Sequence, residues 1–222
     1  MTIENPRYDD ERDAIVQAAA LLFQNEVMSH SGHANLSARV SNDSMLLTIE
    51  GHVRGLRNEG IALVGLDGSV IDGKLDPANA EIVTMHSEVY KIRPDVHGII
   101  HTHSPSLLSF AFAHAELPCR YEAMLRFEQA VAVPVVPWAP RGTERSVGAI
   151  IDVLRDNPNT KAVLLANHGV LVFGKSPRDT ALTLTVLEEA AAAELDAATL
   201  SGAKNFPAGA LDQVLAGISR FS

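Results

Sequence analysis

The chain contains a single cysteine, no cluster of basic residues and no long apolar run. Because only Cys119 occurs among 222 residues, an intrachain disulfide is excluded and a reducing compartment is compatible. The 27 Asp and Glu residues outnumber the 18 Lys and Arg residues, and this net charge of −9 argues against nucleic acid as a partner. No stretch approaches the ~18 consecutive apolar residues of a membrane span. We therefore expect a cytoplasmic protein with neither a nucleic-acid nor a membrane partner.

Several familiar metal and phosphate motifs are also missing. The patterns H-E-x-x-H, C-x-x-C, G-x-x-x-x-G-K-[ST] and G-x-G-x-x-G do not occur. A cupin site requires an acidic residue just after H-x-H, and a metallo-β-lactamase site requires Asp and His there. In this chain Ser104-Pro105 follows the H-x-H pair. Neither framework fits.

The length and composition indicate one domain. A chain of 222 residues, 46% of them hydrophobic, is long enough to bury a large core. The N-terminal stretch M-T-I-E-N-P-R-Y-D-D-E-R-D is too acidic and polar for a signal peptide. We expect a single domain over residues 1–222, with its core at about 8–200.

Hydrophobic periodicity predicts alternating helices and strands. The predicted helices are Tyr8 to about Met28, Pro77 to Ile92, Pro105 to His114, Thr143 to Arg155, and Pro177 to about Leu200. The predicted extended segments are two strands around the turn Ser41–Asp43, a hairpin around Asp67-Gly68, a buried strand before His101, short pieces near Arg120-Tyr121 and at Ala130–Val136, and two strands around Asn167–Gly169. The pattern indicates an α/β domain in which helices cover a mainly antiparallel sheet.

The segment H-G-I-I-H-T-H-S-P places His101 and His103 at the end of an apolar run. In an extended strand, residues i and i+2 point to the same face, so both imidazoles can reach one ion. Packing or surface roles are the alternative for such a pair, because nine histidines make the spacing common by chance.

A third candidate ligand, His168, follows the apolar run A-V-L-L and precedes Gly169. It too would lie at a strand end, although a loop histidine without a ligand role is the alternative. Three neutral imidazoles and one exchangeable position form a good catalytic zinc site, and Mn²⁺ or Fe²⁺ would also suit imidazole ligands.

Glu81 is the leading candidate for the acid/base. It lies near the start of a predicted helix, where the helix dipole stabilises a carboxylate. An ordinary first-turn glutamate is the alternative. His86 is about 140° further round the same helix, so we expect it to pack or to support the site rather than share it with Glu81.

The order of motifs resembles the class II aldolase/adducin family. The shared elements are A-N-L-S, A-E before a helix, R-P-D-V-x-x-I-I-H-T-H-S, and A-N-H-G, over about Asp13 to Leu200. The resemblance implies a three-layer α/β/α fold around a central, mainly antiparallel sheet, and a homotetramer with active sites where subunits meet. Adducin-like members lack the metal ligands, whereas this chain keeps all three histidines, so it resembles the enzyme branch.

The resemblance also implies roles for individual residues. His101, His103 and His168 would bind Zn²⁺, and Glu81 would be the catalytic acid/base. Tyr121 falls where the family's aldolases place a tyrosine that protonates the leaving aldehyde across the interface. A packing role is the alternative for that tyrosine.

The chain departs from the family in the region that binds substrate phosphate. The first substrate-binding stretch is largely kept as Ala34-Asn35-Leu36-Ser37, but a T-G pair is replaced by Glu50-Gly51 and a pair of hydroxyl residues by Asn79-Ala80. Unless a cation intervenes, a phosphate dianion beside Glu50 would be repelled, at a cost of several kcal/mol in a partly buried pocket.

These observations favour a metal-dependent carbon–carbon lyase acting on a small molecule. Our first hypothesis is retro-aldol cleavage of a hydroxy-ketone or sugar (phosphate), through an enediolate that the divalent ion stabilises. Decarboxylation of a hydroxylated acid is the second hypothesis, because it passes through a related enolate. A non-catalytic, adducin-like interaction module is the third.

Overall fold

A computed structural model describes residues 8–76 and 79–218 of the chain. Its centre is an eight-stranded sheet in the order β4-β3-β2-β1-β5-β8-β7-β6. The strands are β1 Ala34–Arg39, β2 Ser44–Thr48, β3 Ile61–Gly65, β4 Val70–Asp72, β5 Gly98–Thr102, β6 Val135–Val136, β7 Ala162–Leu165 and β8 Gly169–Gly174. Every pairing is antiparallel except the one between β6 and β7, so the predicted mainly antiparallel sheet is confirmed.

Helices cover both faces of the sheet. They are α1 Asp9–Gln24, α2 Ala80–Ile92, α3 Pro105–Ala113, α4 Glu122–Arg126, α5 Glu144–Asp156, α6 Pro177–Ala197 and α7 Ala210–Ile218, with a 3₁₀ turn at Asn58–Gly60. Helices α1, α3 and α6 bury Ile15, Leu107 and Leu184 in one apolar core. Helices α2 and α5 bury Val89 and Leu154 in a second core on the opposite face. This is the three-layer α/β/α arrangement that the family resemblance implied.

Some predicted boundaries were wrong. The first helix ends at Gln24 rather than near Met28, since Glu26 adopts a left-handed conformation with φ of 57°. The last long helix ends at Ala197 rather than Leu200. The expected start of α2 at Pro77 lies outside the described residues.

The extended piece expected near Tyr121 is not a strand. Tyr121 precedes the single-turn helix α4, and the nearby strand-like bridge joins Leu117 to Val133 instead. Helices α4 and α7 were not predicted. Helix α4 has no side-chain cap at Tyr121, so the usual start signal is missing from its sequence.

The segment after β5 is held by a residue that is distant in the sequence but packed alongside it. The carboxylate of Glu188 in α6 accepts the backbone N–H groups of Ser106 and Leu107 at 2.6 and 2.9 Å. These are orphan donors of the first turn of α3, and the buried carboxylate satisfies both. The contact holds the segment that directly follows His103.

Among the residues that the structure describes, no helix is both long enough and apolar enough to span a membrane.

Candidate metal centre and adjoining cavity

Three histidines from two strand ends converge on one point. His101 is the next-to-last residue of β5, and His103 follows that strand. His168 lies in the tight connection between β7 and β8. One ring nitrogen from each lies within 4.8 Å of the others. The sequence predicted this convergence, and the structure explains it, since β5 and β8 are neighbours in the sheet.

The ring nitrogens are arranged so that lone pairs remain for an ion. The Nδ1 of His101 lies 3.0 Å from the carbonyl oxygen of Val170, to which Nδ1–H donates, leaving the Nε2 lone pair free. Burial, followed by the neighbouring His168 and His103, lowers the pKa of His101 well below its ordinary value. Burial also lowers the pKa of His168 to about 4 and lowers that of His103. All three rings are therefore neutral near pH 7, the form that binds metals.

Gly169 permits the close approach of the β7–β8 connection to β5. A Cβ at this position would lie 2.5 Å from the carbonyl oxygen of Thr102 and 2.7 Å from Cδ2 of His103. Asn167, in the same connection, is left-handed with φ of 55°. Only a residue without a side chain leaves room for the third histidine to meet the other two.

The donor set fits a divalent transition metal. Two nitrogens bound to one tetrahedral ion would lie roughly 3.4 Å apart at zinc–nitrogen distances of about 2.1 Å. The observed separations, all within 4.8 Å, reach that spacing with small ring movements. The roles of His101, His103 and His168 as ligands stay a prediction.

A cavity of about 310 Å³ opens beside the triad and contains Glu81. His101 and His168 form one end of it, and Glu81 projects from the first turn of α2. Most of the remaining wall is apolar, from Ile82, Met85, Val136, Trp138, Ile150 and Leu165. The structure thus brings the predicted acid/base and two predicted ligands to one enclosed space.

Asn35 and Ser37, expected at the substrate, are bonded to His86 of α2. A buried chain runs from the Tyr90 hydroxyl to Ser37 Oγ at 2.8 Å, from Ser37 Oγ to His86 Nδ1 at 2.7 Å, and from His86 Nε2 to Asn35 Oδ1 at 3.2 Å. Burial lowers the pKa of His86 to about 3, so the ring is neutral. The supporting role expected for His86 agrees with this position, since Asn35 lies opposite His101 in the β1–β5 pairing.

Of the other expected substrate residues, Glu50 and Gly51 lie in the loop after β2, and Asn79 precedes α2 beside that loop. The amide Nδ2 of Asn79 donates to the carbonyl oxygen of Ile49 at 2.6 Å, and the side chain of Glu50 is exposed. Gly51 lies against the ring of His33, so close that a Cβ would be 2.4 Å from its Nε2. The rings of His33 and His103 are stacked at 6.3 Å, which connects this loop to the triad.

Tyr121 does not line the cavity of its own chain. It is 42% exposed, and its hydroxyl lies 3.5 Å from Oε2 of Glu189 in α6. Its expected role across a subunit interface therefore needs a second copy of the chain and stays a prediction.

Two residues near the site were missed from the sequence. Arg141 contributes a guanidinium to the cavity and pairs with Glu81, and His33 stacks near His103. The position of His33, directly before β1, depends on the pairing of β1 with β5, which the sequence around His33 does not show. No local signal marks Arg141, which lies in a W-A-P-R-G loop.

Comparisons with known proteins agree with this architecture. The profile of the family described as Class II Aldolase and Adducin N-terminal domain matches residues 13–195. A methylthioribulose-1-phosphate dehydratase of Methylococcus capsulatus is 30% identical over 69% of this chain and 78% of that protein. A 3-oxo-tetronate 4-phosphate decarboxylase of Pectobacterium atrosepticum is 33% identical over 81% of each chain. An L-fuculose 1-phosphate aldolase structure covers 95% of this chain and 97% of its own, with a TM-score of 0.82 at 20% identity, a likeness of fold.

Proposed function

Because the chain belongs to the class II aldolase and adducin family, we propose that it is a metal-dependent lyase acting on a small hydroxylated carbonyl compound. The observation that carries the proposal is the shared cavity, in which Glu81 faces the same space as His101 and His168. Zn²⁺ is the first candidate ion, with Mn²⁺ and Fe²⁺ as alternatives. Held by the three histidines, such an ion would supply Lewis-acid polarisation of the substrate's oxygen atoms.

The protein's own residues would handle the proton. Aldol cleavage and decarboxylation both leave an electron pair on the carbon next to a carbonyl, and a proton must be delivered there. Dehydration removes a proton from such a carbon and expels a hydroxyl group. Glu81 has the chemistry for each of these transfers, since a carboxylate beside the reacting carbon can accept a proton and return it.

The apolar wall of the cavity would assist this transfer. Leu165 and Ile150 contribute to an apolar lining, beside which the charge developing on the substrate would interact more strongly with nearby polar groups than in water. His101 lies in β5 and His168 directly precedes β8, and the pairing of these two strands positions both histidines at the cavity.

Retro-aldol cleavage is the first reaction proposed, with Tyr121 of a neighbouring copy protonating the leaving aldehyde. This version requires an oligomer, and we retain the homotetramer as part of it.

Decarboxylation is the second candidate, favoured by the Pectobacterium relative that covers 81% of this chain. It needs no proton donor for the leaving group, because CO₂ departs unprotonated, and so does not require Tyr121. The Methylococcus relative adds dehydration to the reactions to be assayed.

The experiment incubates the zinc-loaded protein with a panel of hydroxy-ketones and hydroxylated keto acids, each with and without phosphate. Aldehyde, CO₂ and dehydrated product are measured in parallel. Glu81→Gln should lower turnover on any accepted substrate by about 10²- to 10⁴-fold, the usual contribution of a general acid/base. Glu144→Gln is the matched control, because Glu144 is an exposed first-turn glutamate of α5. Full activity of Glu81→Gln would refute the acid/base role.

A further inference from the structure

Two oppositely charged side chains in the lining of the cavity form an ion pair. Of the described residues that line it, Arg141 is the only arginine or lysine and Glu81 the only carboxylate. The Nε–H of Arg141 donates to Oε1 of Glu81. The side chain of Arg141 is 55% exposed and that of Glu81 is 19% exposed, so the pair lies at the mouth of the cavity.

The backbone holds Arg141 at this position. Gly142 has φ of 77°, and a Cβ there would lie 2.8 Å from Oε2 of Glu81, so the loop passes directly over the carboxylate. The next residue, Thr143, caps α5: its Oγ1 accepts the N–H of Ser146 at 3.2 Å and donates to the carbonyl oxygen of Pro140 at 2.7 Å. The loop between β6 and α5 is thus anchored on both sides of Arg141.

The guanidinium also lies near the triad. Arg141 lines the same cavity as His101 and His168. A small molecule that coordinates an ion at the three histidines would therefore have one of its ends within reach of Arg141. A guanidinium offers two parallel N–H donors, which match the oxygen pairs of a carboxylate or a phosphate.

The loop that carries Glu50 is less suited to an anion. Its exposed carboxylate would repel one, and the Asn79 amide is already bonded to the Ile49 carbonyl oxygen. The ion pair between Arg141 and Glu81, in contrast, can be exchanged easily. Because this pair is partly exposed, its net contribution to stability is small. An incoming anion would replace one charge-assisted contact of Arg141 with another.

We propose that Arg141 determines specificity by binding an anionic carboxylate or phosphate group of the substrate, which displaces Glu81 from the guanidinium. The inference rests on the proposed function, and it defines the substrate class further: a hydroxylated carbonyl compound with an anionic group at one end. Binding of that group frees Glu81 to transfer a proton, so Arg141 acts on Glu81 as a positioning residue. A neutral compound that chelates the metal equally well would leave Glu81 paired.

The test measures probe binding rather than turnover. Isothermal titration calorimetry on the zinc-loaded protein compares acetohydroxamate, which only chelates, with malonic monohydroxamate and phosphonoacetohydroxamate, which add a carboxylate or a phosphonate. The parent protein should bind at least one anionic probe more tightly than acetohydroxamate, and the preferred probe identifies the anionic group. Arg141→Gln should weaken binding of that probe by roughly ten- to a hundred-fold and leave acetohydroxamate unchanged.

Two further variants complete the design. Arg145→Gln is the matched control, since Arg145 is exposed on α5 and does not line the cavity, and it should bind all probes as the parent does. Glu81→Gln removes the competing carboxylate and should raise affinity for the anionic probe several-fold; a loss would contradict the exchange. Zinc affinity of Arg141→Gln, measured by competition with a chelator, should equal that of the parent.

The outcomes separate this inference from the proposed function. If acetohydroxamate binds and Arg141→Gln retains full affinity for both anionic probes, the role of Arg141 is overturned while the lyase proposal stands. If the parent protein binds neither zinc nor acetohydroxamate, the proposed function fails, and this inference fails with it.

Discussion

Two sides of the candidate site differ in how far their polar groups are already paired. The triad side consists of His101, His103, His168, Glu81 and Arg141. The loop side consists of Asn35, Ser37, Glu50, Gly51 and Asn79. On the triad side, neutral imidazoles keep lone pairs available within 4.8 Å of one another. On the loop side, the two amides and the hydroxyl are each bonded to a protein group.

This difference indicates where a ligand would obtain its contacts. A group whose hydrogen bonds are already made gains little from a ligand, because the existing bond must first be broken. The triad side can accept an ion without breaking any contact, and its arginine can exchange one anion for another. We therefore expect metal and anion recognition on the triad side, and a structural role for the loop side.

The largest expected effect follows from removing one triad histidine. His101→Ala should abolish tight zinc binding, because two imidazoles hold the ion far more weakly than three. In the parent, zinc at 100 times its Kd should raise the free energy of unfolding by about 2.7 kcal/mol, and in the variant by almost nothing. Thermal unfolding with and without Zn²⁺ measures the difference.

His97→Ala is the matched control for that experiment. His97 is exposed, lies just before β5 and is outside the triad. Zinc should stabilise the His97→Ala variant as much as it stabilises the parent protein. If zinc stabilises His101→Ala equally well, the contrast between the two sides is broken.

The second prediction concerns acid stability and the loop side. His86 has a pKa of about 3 in the folded protein against an ordinary value of 6.5, so below pH 6.5 the unfolded chain takes up a proton that the folded protein does not. This contribution to stability is complete above pH 6.5 and is lost as the pH falls towards 3. Between pH 7 and pH 5 the loss should be about 2 kcal/mol.

Urea unfolding of the metal-free parent and of His86→Gln at both pH values isolates this contribution. The triad histidines titrate in both proteins, so they cancel in the comparison. The variant will be less stable at pH 7, because the contacts to Ser37 and Asn35 are disturbed, but it should lose about 2 kcal/mol less on acidification. If the free energies of unfolding of the two proteins fell equally on acidification, His86 would not be buried as a neutral ring.

The sequence predicted those parts of the fold and site that depend on local spacing. Asp67-Gly68 indicates a hairpin by itself, and His101 and His103 share a face because they are two residues apart in a strand. His168 could be added because it, too, follows an apolar run. Each of these predictions needs only the residues nearby.

Contacts between distant segments could not be predicted in this way. Arg141 and Glu81 are 60 positions apart, and their pairing depends on the path of the β6–α5 loop over α2. The bonding of His86 to Asn35 and Ser37 depends on the packing of α2 on β1. Family resemblance placed Asn35 and Ser37 at the substrate, but it did not indicate that His86 of α2 is hydrogen-bonded to Asn35 Oδ1 and Ser37 Oγ.

The smallest expected effect comes from the exposed carboxylate of the loop side. Glu50→Gln should change stability by no more than about 0.5 kcal/mol, as surface substitutions usually do. It should raise affinity for phosphonoacetohydroxamate only a few-fold, because a solvent-exposed charge repels weakly. Glu59→Gln, at another exposed carboxylate, controls for the change in net charge. A gain from Glu50→Gln larger than the loss from Arg141→Gln would move anion binding to the loop side, since the stronger response marks the group nearer the anion.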